Sequence, residues 1–229
     1  MTTVAVIFGA SGGIGSAVKA RLESDGGYDR VIALHRKSSP PLDLLDKCKI
    51  QACAEEVRQA EGEVRLLFDA TGALTLGTAR PEKSLRELDP EVLARSFAIN
   101  AIGPALLMKH FLPLLPREGR SVFATLSARV GSIGDNSLGG WYGYRASKAA
   151  LNQLVRTASI ELARKNPEAI CVALHPGTVR TSLTENFAKT GLDVQEPAIA
   201  AERLVDFVVS LTPAQSGGFF DQLGRPIPW

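Results

Sequence analysis

Two kinds of hydrophobic pattern alternate along this chain. Short apolar runs rich in β-branched residues, closed by glycine or a polar turn, read as buried strands: residues 3–10 (TVAVIFGA), 30–36 (RVIALHR), 64–72 (VRLLFDATG), 121–128 (SVFATLSA) and 169–177 (AICVALHPG). Between them the spacing turns helical. Ile14, Val18 and Leu22 recur at four-residue steps and stop before Gly26-Gly27. Residues 53–62 (CAEEVRQAEG) and 201–211 (AERLVDFVVSL) also read as helices. Asp89-Pro90-Glu91 offers an N-cap, a proline at the first helical position and an acid in the first turn, which predicts a long helix toward Pro113. Leu151, Leu154, Val155, Ala158 and Leu162 form one stripe of a helix expected over 144–163. A very short strand is expected around 42–44, and a last one within 217–224. Strands that alternate with helices predict an α/β protein with a parallel sheet covered on both faces. No Pro/Gly/Ser linker divides the chain, so residues 1–229 read as one domain.

Composition narrows the class. Of 229 residues, 45% are apolar and 22% charged, as in ordinary globular proteins. A net charge of +2 argues against a nucleic-acid or anionic-membrane partner. No apolar run approaches the roughly 18–20 residues that span a bilayer, and the N-terminus has no basic stretch before its short apolar run. Three cysteines, Cys48, Cys53 and Cys171, suit a reducing cytoplasm better than a disulfide framework, and their surroundings predict no metal.

The chemistry begins at the first strand–helix junction. Gly9, Gly13 and Gly15, with Ser11, Gly12 and Ile14 between them, lie where a strand hands over to a helix. Glycines let the backbone turn sharply and approach a pyrophosphate, and the helix start offers free N–H groups at its positive end. A plain tight turn is the bland reading; in this context dinucleotide binding is expected. The second strand ends not in a ribose-binding acid but in Arg36 and Lys37. A guanidinium can pair with a 2′-phosphate, so NADP(H) is expected over NAD(H), unless both cations belong to a solvated loop.

Tyr144 and Lys148 are four apart and share a helix face. An ammonium beside a phenol stabilises phenolate and suits it to proton transfer at a carbonyl or alcohol oxygen. Such pairs are common as surface contacts; this one gains weight from following a dinucleotide turn. Tyr142 is expected to precede the helix.

In this order of landmarks the sequence resembles the classical short-chain dehydrogenase/reductase family, closest to its C-factor-like and sniffer-like carbonyl reductase branch. The resemblance rests on the glycine turn, NAIG (100–103), LSARVGS (126–132), YRASK (144–148), HPGTVRT (175–181) and the ending DQLGRPIPW, and it covers nearly the whole chain. It implies a doubly wound Rossmann-type sheet. It implies Tyr144 as acid/base, Lys148 as ribose-binding and pKa-lowering partner, and Asn100 as support for a water relay. Pro176, Gly177 and Val179 would frame the nicotinamide, with Thr181 reaching its carboxamide or phosphate; Asp43 would contact adenine, and Ala70 and Gly72 would give backbone access to the adenosine ribose. Paired long helices would make a homodimer or homotetramer.

Two departures stand out. The serine that orients the substrate carbonyl lies three residues before a glycine in the family; counting back from Gly131 reaches Ala128. Ser127 fills the role only if the backbone bulges, because one residue reverses a strand side chain. Ser132 is the second candidate, and no serine the third. The family's N-N-A-G segment reads Asp69-Ala70-Thr71-Gly72. The expected function is NADP(H)-dependent reduction of a small, apolar ketone or aldehyde, or the reverse oxidation. Residues 133–142 with Trp141, and 182–196, would wall the pocket. The rival is a dinucleotide-binding signalling protein with vestigial catalysis.

Overall fold

The computed structural model describes residues 2–77, 79–181, 184 and 194–229. In chain order its elements are β1 (Thr3–Phe8), α1 (Gly13–Asp25), β2 (Arg30–Leu34), α2 (Lys47–Gln59), β3 (Glu63–Asp69), α3 (Pro90–Phe97), a π-helical turn (Ala98–Ile102), α4 (Gly103–Phe111) and β4 (Ser121–Leu126). There follow α5 (Tyr142–Ala163), β5 (Ala169–His175), β6 (Thr178–Val179), β7 (Val194–Gln195), α6 (Pro197–Ser210) and β8 (Phe219–Asp221). Six strands form a sheet in the order β2-β1-β3-β4-β5-β8, every neighbouring pair parallel. The chain leaves β1 toward one edge for β2, then returns to its other side for β3. That reversal opens a crevice at the carboxyl ends of the strands, where doubly wound sheets bind ligands.

Strand alternation builds two cores. Val4, Val6 and Phe8 of β1 face α2, α4 and α5, among Phe111, Phe123, Leu151 and Val155. Ala5 and Ile7 face α1 and α6, among Val18, Leu22, Leu204 and Val205. The doubly wound parallel architecture is therefore the one the pattern predicts, because a strand buried on both faces reads as a continuous apolar run.

Local details differ. The helix from Asp89 is capped as expected, its carboxylate accepting from the Glu91 and Val92 N–H groups at 2.9 Å, but a π-turn interrupts it. The stretch Pro90–Leu114 is long and apolar enough to cross a membrane by length and composition alone; here Leu107, Met108 and Phe111 pack it into the core. Residues 42–44 are not a strand. Leu42 donates its N–H to the His35 carbonyl, and Leu44 packs where a methyl on Gly103 would sit, 2.8 Å away. Helix α5 begins at Tyr142, so Tyr142 lies on the helix and not before it.

Candidate active site

The glycine turn is built by close approach. Gly9 has φ +77°, and a methyl on Gly15 would lie 2.3 Å from the Gly9 carbonyl oxygen. A methyl on Gly13 would meet Thr181 Cγ2 at 2.7 Å. Helix α1 starts at Gly13 with no side-chain cap, and Ser11, Gly12 and Gly13 are exposed. Uncapped N–H groups on open, Cβ-free backbone fit a phosphate. Arg36 and Lys37 stand exposed in the turn after β2. Asp43 is engaged locally: its Oδ1 accepts from the Leu45 N–H and its Oδ2 lies 3.5 Å from Lys49 Nζ.

A cleft of about 310 Å³ opens at the carboxyl ends of β3, β4 and β5. Of the residues singled out above, Ile14, Ala70, Gly72, Ser127, Tyr144, Lys148, Pro176, Gly177, Val179 and Thr181 line it. Trp141 joins the wall, its ring edge-on to Tyr144 at 6.3 Å. Leu138 does not; it is 89% exposed. Residues 182, 183 and 185–193 of the other expected wall lie outside the described residues, while Thr184 lines the cleft.

Lys148 is 2% exposed and donates to the Leu126 carbonyl at 2.9 Å, with its Nζ 5.9 Å from the Tyr144 ring centroid. Burial pulls this ammonium down to about 8, against an upward pull from the Asp69 carboxylate. Burial pushes the Tyr144 phenol up to about 12. In this arrangement Tyr144 is protonated at neutral pH, and burial sets the direction of its shift. Asn100 sits in the π-turn, fully buried. It accepts from the Ala73 N–H and donates to the Ala73 carbonyl, both at 2.8 Å. A methyl on Gly72 would touch Lys148 Nζ at 3.2 Å and Asn100 Oδ1 at 3.3 Å, so glycine lets these groups converge.

Ala128 lines the cleft in extended conformation and has no hydroxyl. Ser127 donates its hydroxyl to Asn152 Oδ1 at 2.6 Å. Ser132 accepts from the Asp135 N–H at 3.0 Å and is not part of the lining. His175 lines the cleft, and burial pulls its imidazole down to about 4.

Glu82 was not legible from spacing. It is 5% exposed, and its carboxylate accepts from the Gly143 N–H at 3.2 Å while its carbonyl accepts from the Trp141 N–H at 2.5 Å. It thus caps α5, whose own N-cap residue Trp141 has φ 52° and no side-chain cap. An acid just before a helix signals a cap only when it is near in sequence, and this one comes from 61 residues away.

The family model for short chain dehydrogenase matches residues 3–191. C-signal of Myxococcus xanthus is 37% identical over 170 residues, spanning 73% of this chain and 94% of that protein. The 1-hydroxy-2-glutathionyl-2-methyl-3-butene dehydrogenase of Rhodococcus sp. (strain AD45) is 30% identical over the full length of both. In fold, the carbonyl reductase Sniffer of D. melanogaster superposes with a TM-score of 0.84 at 21% identity, over 100% of this chain and 99% of that one. The NADPH-bound carbonyl reductase from chicken fatty liver reaches the same TM-score at 24% identity, over 100% and 98%.

Proposed function

The chain belongs to the short-chain dehydrogenase family, and on that premise we propose that it is an NADP(H)-dependent oxidoreductase acting on a small, apolar carbonyl compound or the matching alcohol. The observation that carries this reading is the convergence of Tyr144, Lys148 and the start of α1 on one cleft. The glycine turn, Arg36 and the Pro176-Gly177 segment would hold the dinucleotide. When bound, the reduced nicotinamide supplies the hydride.

The residues do the rest. Burial raises the Tyr144 phenol, so it is protonated at neutral pH, as the acid at the carbonyl oxygen must be in the reducing direction. Tyr144 gives its proton to that oxygen, and Lys148, still largely ammonium below its value of about 8, stabilises the phenolate left behind. Asn100 holds Ala73, and with it the Gly72 segment, against Lys148. The apolar wall that Leu74, Leu126, Val130 and Trp141 contribute suits an apolar substrate. The cytoplasm is the compartment we propose. The alternative, a signalling protein with vestigial catalysis, has Ala128 in its favour; intact Tyr144, Lys148 and Asn100 weigh against it.

The test is NADPH oxidation with a panel of ketones and aldehydes, for wild type and Tyr144→Phe. The expected loss in kcat is about 10²–10⁴, the scale of a general acid, with the NADPH dissociation constant unchanged. Equal turnover in both proteins, or tight NADPH binding with no turnover in either, would overturn the reading. Weaker binding of NADH than of NADPH is expected in the same titrations.

A further inference from the structure

Asp69 stands where the family ordinarily has a neutral asparagine. It ends β3 and is 0% exposed. A buried carboxylate is costly unless its charge is answered, so the structure should contain the answer. Part of it is local. Asp69 Oδ1 accepts from the Thr71 N–H at 2.9 Å and from the Thr71 hydroxyl at 2.5 Å, and Oδ2 accepts from the Thr125 hydroxyl at 2.7 Å. Burial raises the Asp69 carboxyl, and its bonds to Thr71 and Thr125 and the Lys148 ammonium pull it back down; the Thr71 N–H can only donate, as suits an ionised carboxylate, which can only accept.

The other part lies on the next strand position. Thr125, which binds Asp69, is followed by Leu126, whose carbonyl holds Lys148 Nζ at 2.9 Å. Gly72, three residues after Asp69, lies directly against that ammonium. A buried anion and a buried cation are thus held by adjacent residues of β4, and among the described residues Lys148 makes no direct ion pair. Deepening the proposed function, and resting on its assignment of Lys148, we propose that Asp69 is the counter-charge that keeps Lys148 an ammonium in the cleft wall. Asp69 is then a positioning residue: it sets the charge of Lys148 without touching substrate.

The neighbourhood favours this assignment. Burial lowers Lys148, and Asp69 is the group that opposes it. On its own helix Lys148 faces Tyr144, a neutral acid at working pH. The π-turn contributes Asn100, which is uncharged. From the segment after β4, Arg129 is occupied with Asp135 at 3.3 Å and Asp221 at 3.9 Å. His175 of β5 is held neutral. Glu82 sits at the start of α5, and Glu91 and Arg95 of α3 are exposed. No other buried carboxylate faces the ammonium from these elements among the described residues.

The experiment follows the Lys148 Cε resonance by pH titration of the full chain labelled with carbon-13 lysine, the signal being identified by its loss in Lys148→Arg. In Asp69→Asn, which keeps the shape and an acceptor for Thr71, the midpoint should fall below that of wild type. Asp69→Ser, which removes the charge and keeps a small polar group for Thr71 and Thr125, should move it the same way and serves if Asp69→Asn does not fold. An unmoved or raised midpoint in a folded variant overturns the proposal. The alkaline limb of kcat/KM for NADPH-dependent ketone reduction is recorded alongside. A midpoint that falls while the limb stays put upholds the counter-charge and sinks instead the catalytic role of Lys148.

Discussion

Ala128 is the residue on which the rate of the proposed reaction turns. It lines the cleft beside Ser127, whose hydroxyl is engaged with Asn152, so in the proposed reaction the carbonyl oxygen would have the Tyr144 phenol as its principal donor. Its extended backbone, φ −144° and ψ 143°, accepts serine without strain. Ala128→Ser should therefore raise kcat, by up to about 10²-fold, the value of one preorganised donor; steady-state kinetics at saturating NADPH measure it, and an unchanged kcat would show that position 128 does not face the reacting carbonyl. The alanine itself was plain in the sequence. What replaced the serine was not, because a strand residue's direction depends on how the chain leaves the sheet. Ser127 is buried under α5 by its bond to a residue 25 positions on, a partner that no local spacing announces.

At the scale of elements, α5 carries both Tyr144 and Lys148, and its first turn is fixed from outside. The Glu82 carboxylate takes the Gly143 N–H, and a methyl on Gly143 would meet Glu82 Oε1 at 2.9 Å and Leu93 at 3.1 Å. The turn before Tyr144 is thus clamped between Glu82 and α3. Glu82→Ala should cost about 1–2 kcal/mol, as lost caps do, and lower kcat by displacing the phenol, whereas Glu82→Gln, which keeps an acceptor, should recover most of both. Urea denaturation and kinetics on the two variants check this; equal losses in the two would mean that the charge, not the cap, matters. The stripe from Leu151 to Leu162 was readable because packing on the sheet imposes a helical period. The helix start at Tyr142 was not, because its cap is tertiary. The π-turn at Asn100 was hidden for a related reason: its asparagine is satisfied by the backbone of Ala73, 27 residues away.

For the whole molecule, stability should fall on the acid side through His175. Among the described residues its buried Nδ1 has no hydrogen-bond partner, and its imidazole is held down at about 4 against an ordinary 6.5. A depressed folded value means the unfolded chain binds the proton first. The stabilisation is therefore present above about pH 6.5 and is lost as pH falls through about 4, a swing of about 3 kcal/mol. Urea unfolding of wild type and His175→Gln at about pH 7 and about pH 4 tests it: the variant should lose less stability between the two. A second whole-molecule proposal is a homodimer or homotetramer, which light scattering of the full chain would measure; a monomer would overturn it. The alternation of strand and helix, the glycine turn and the shared face of Tyr144 and Lys148 are written in spacing along single elements, whereas the missing serine at Ala128 shows only against the family the chain resembles. That Asp69 lies near Lys148, that Glu82 caps α5 and that Ser127 bonds Asn152 came with tertiary packing alone. Those facts depend on which distant segments the parallel crossovers bring to the same end of the sheet, and on the burial that sets the charge of each group once it arrives there.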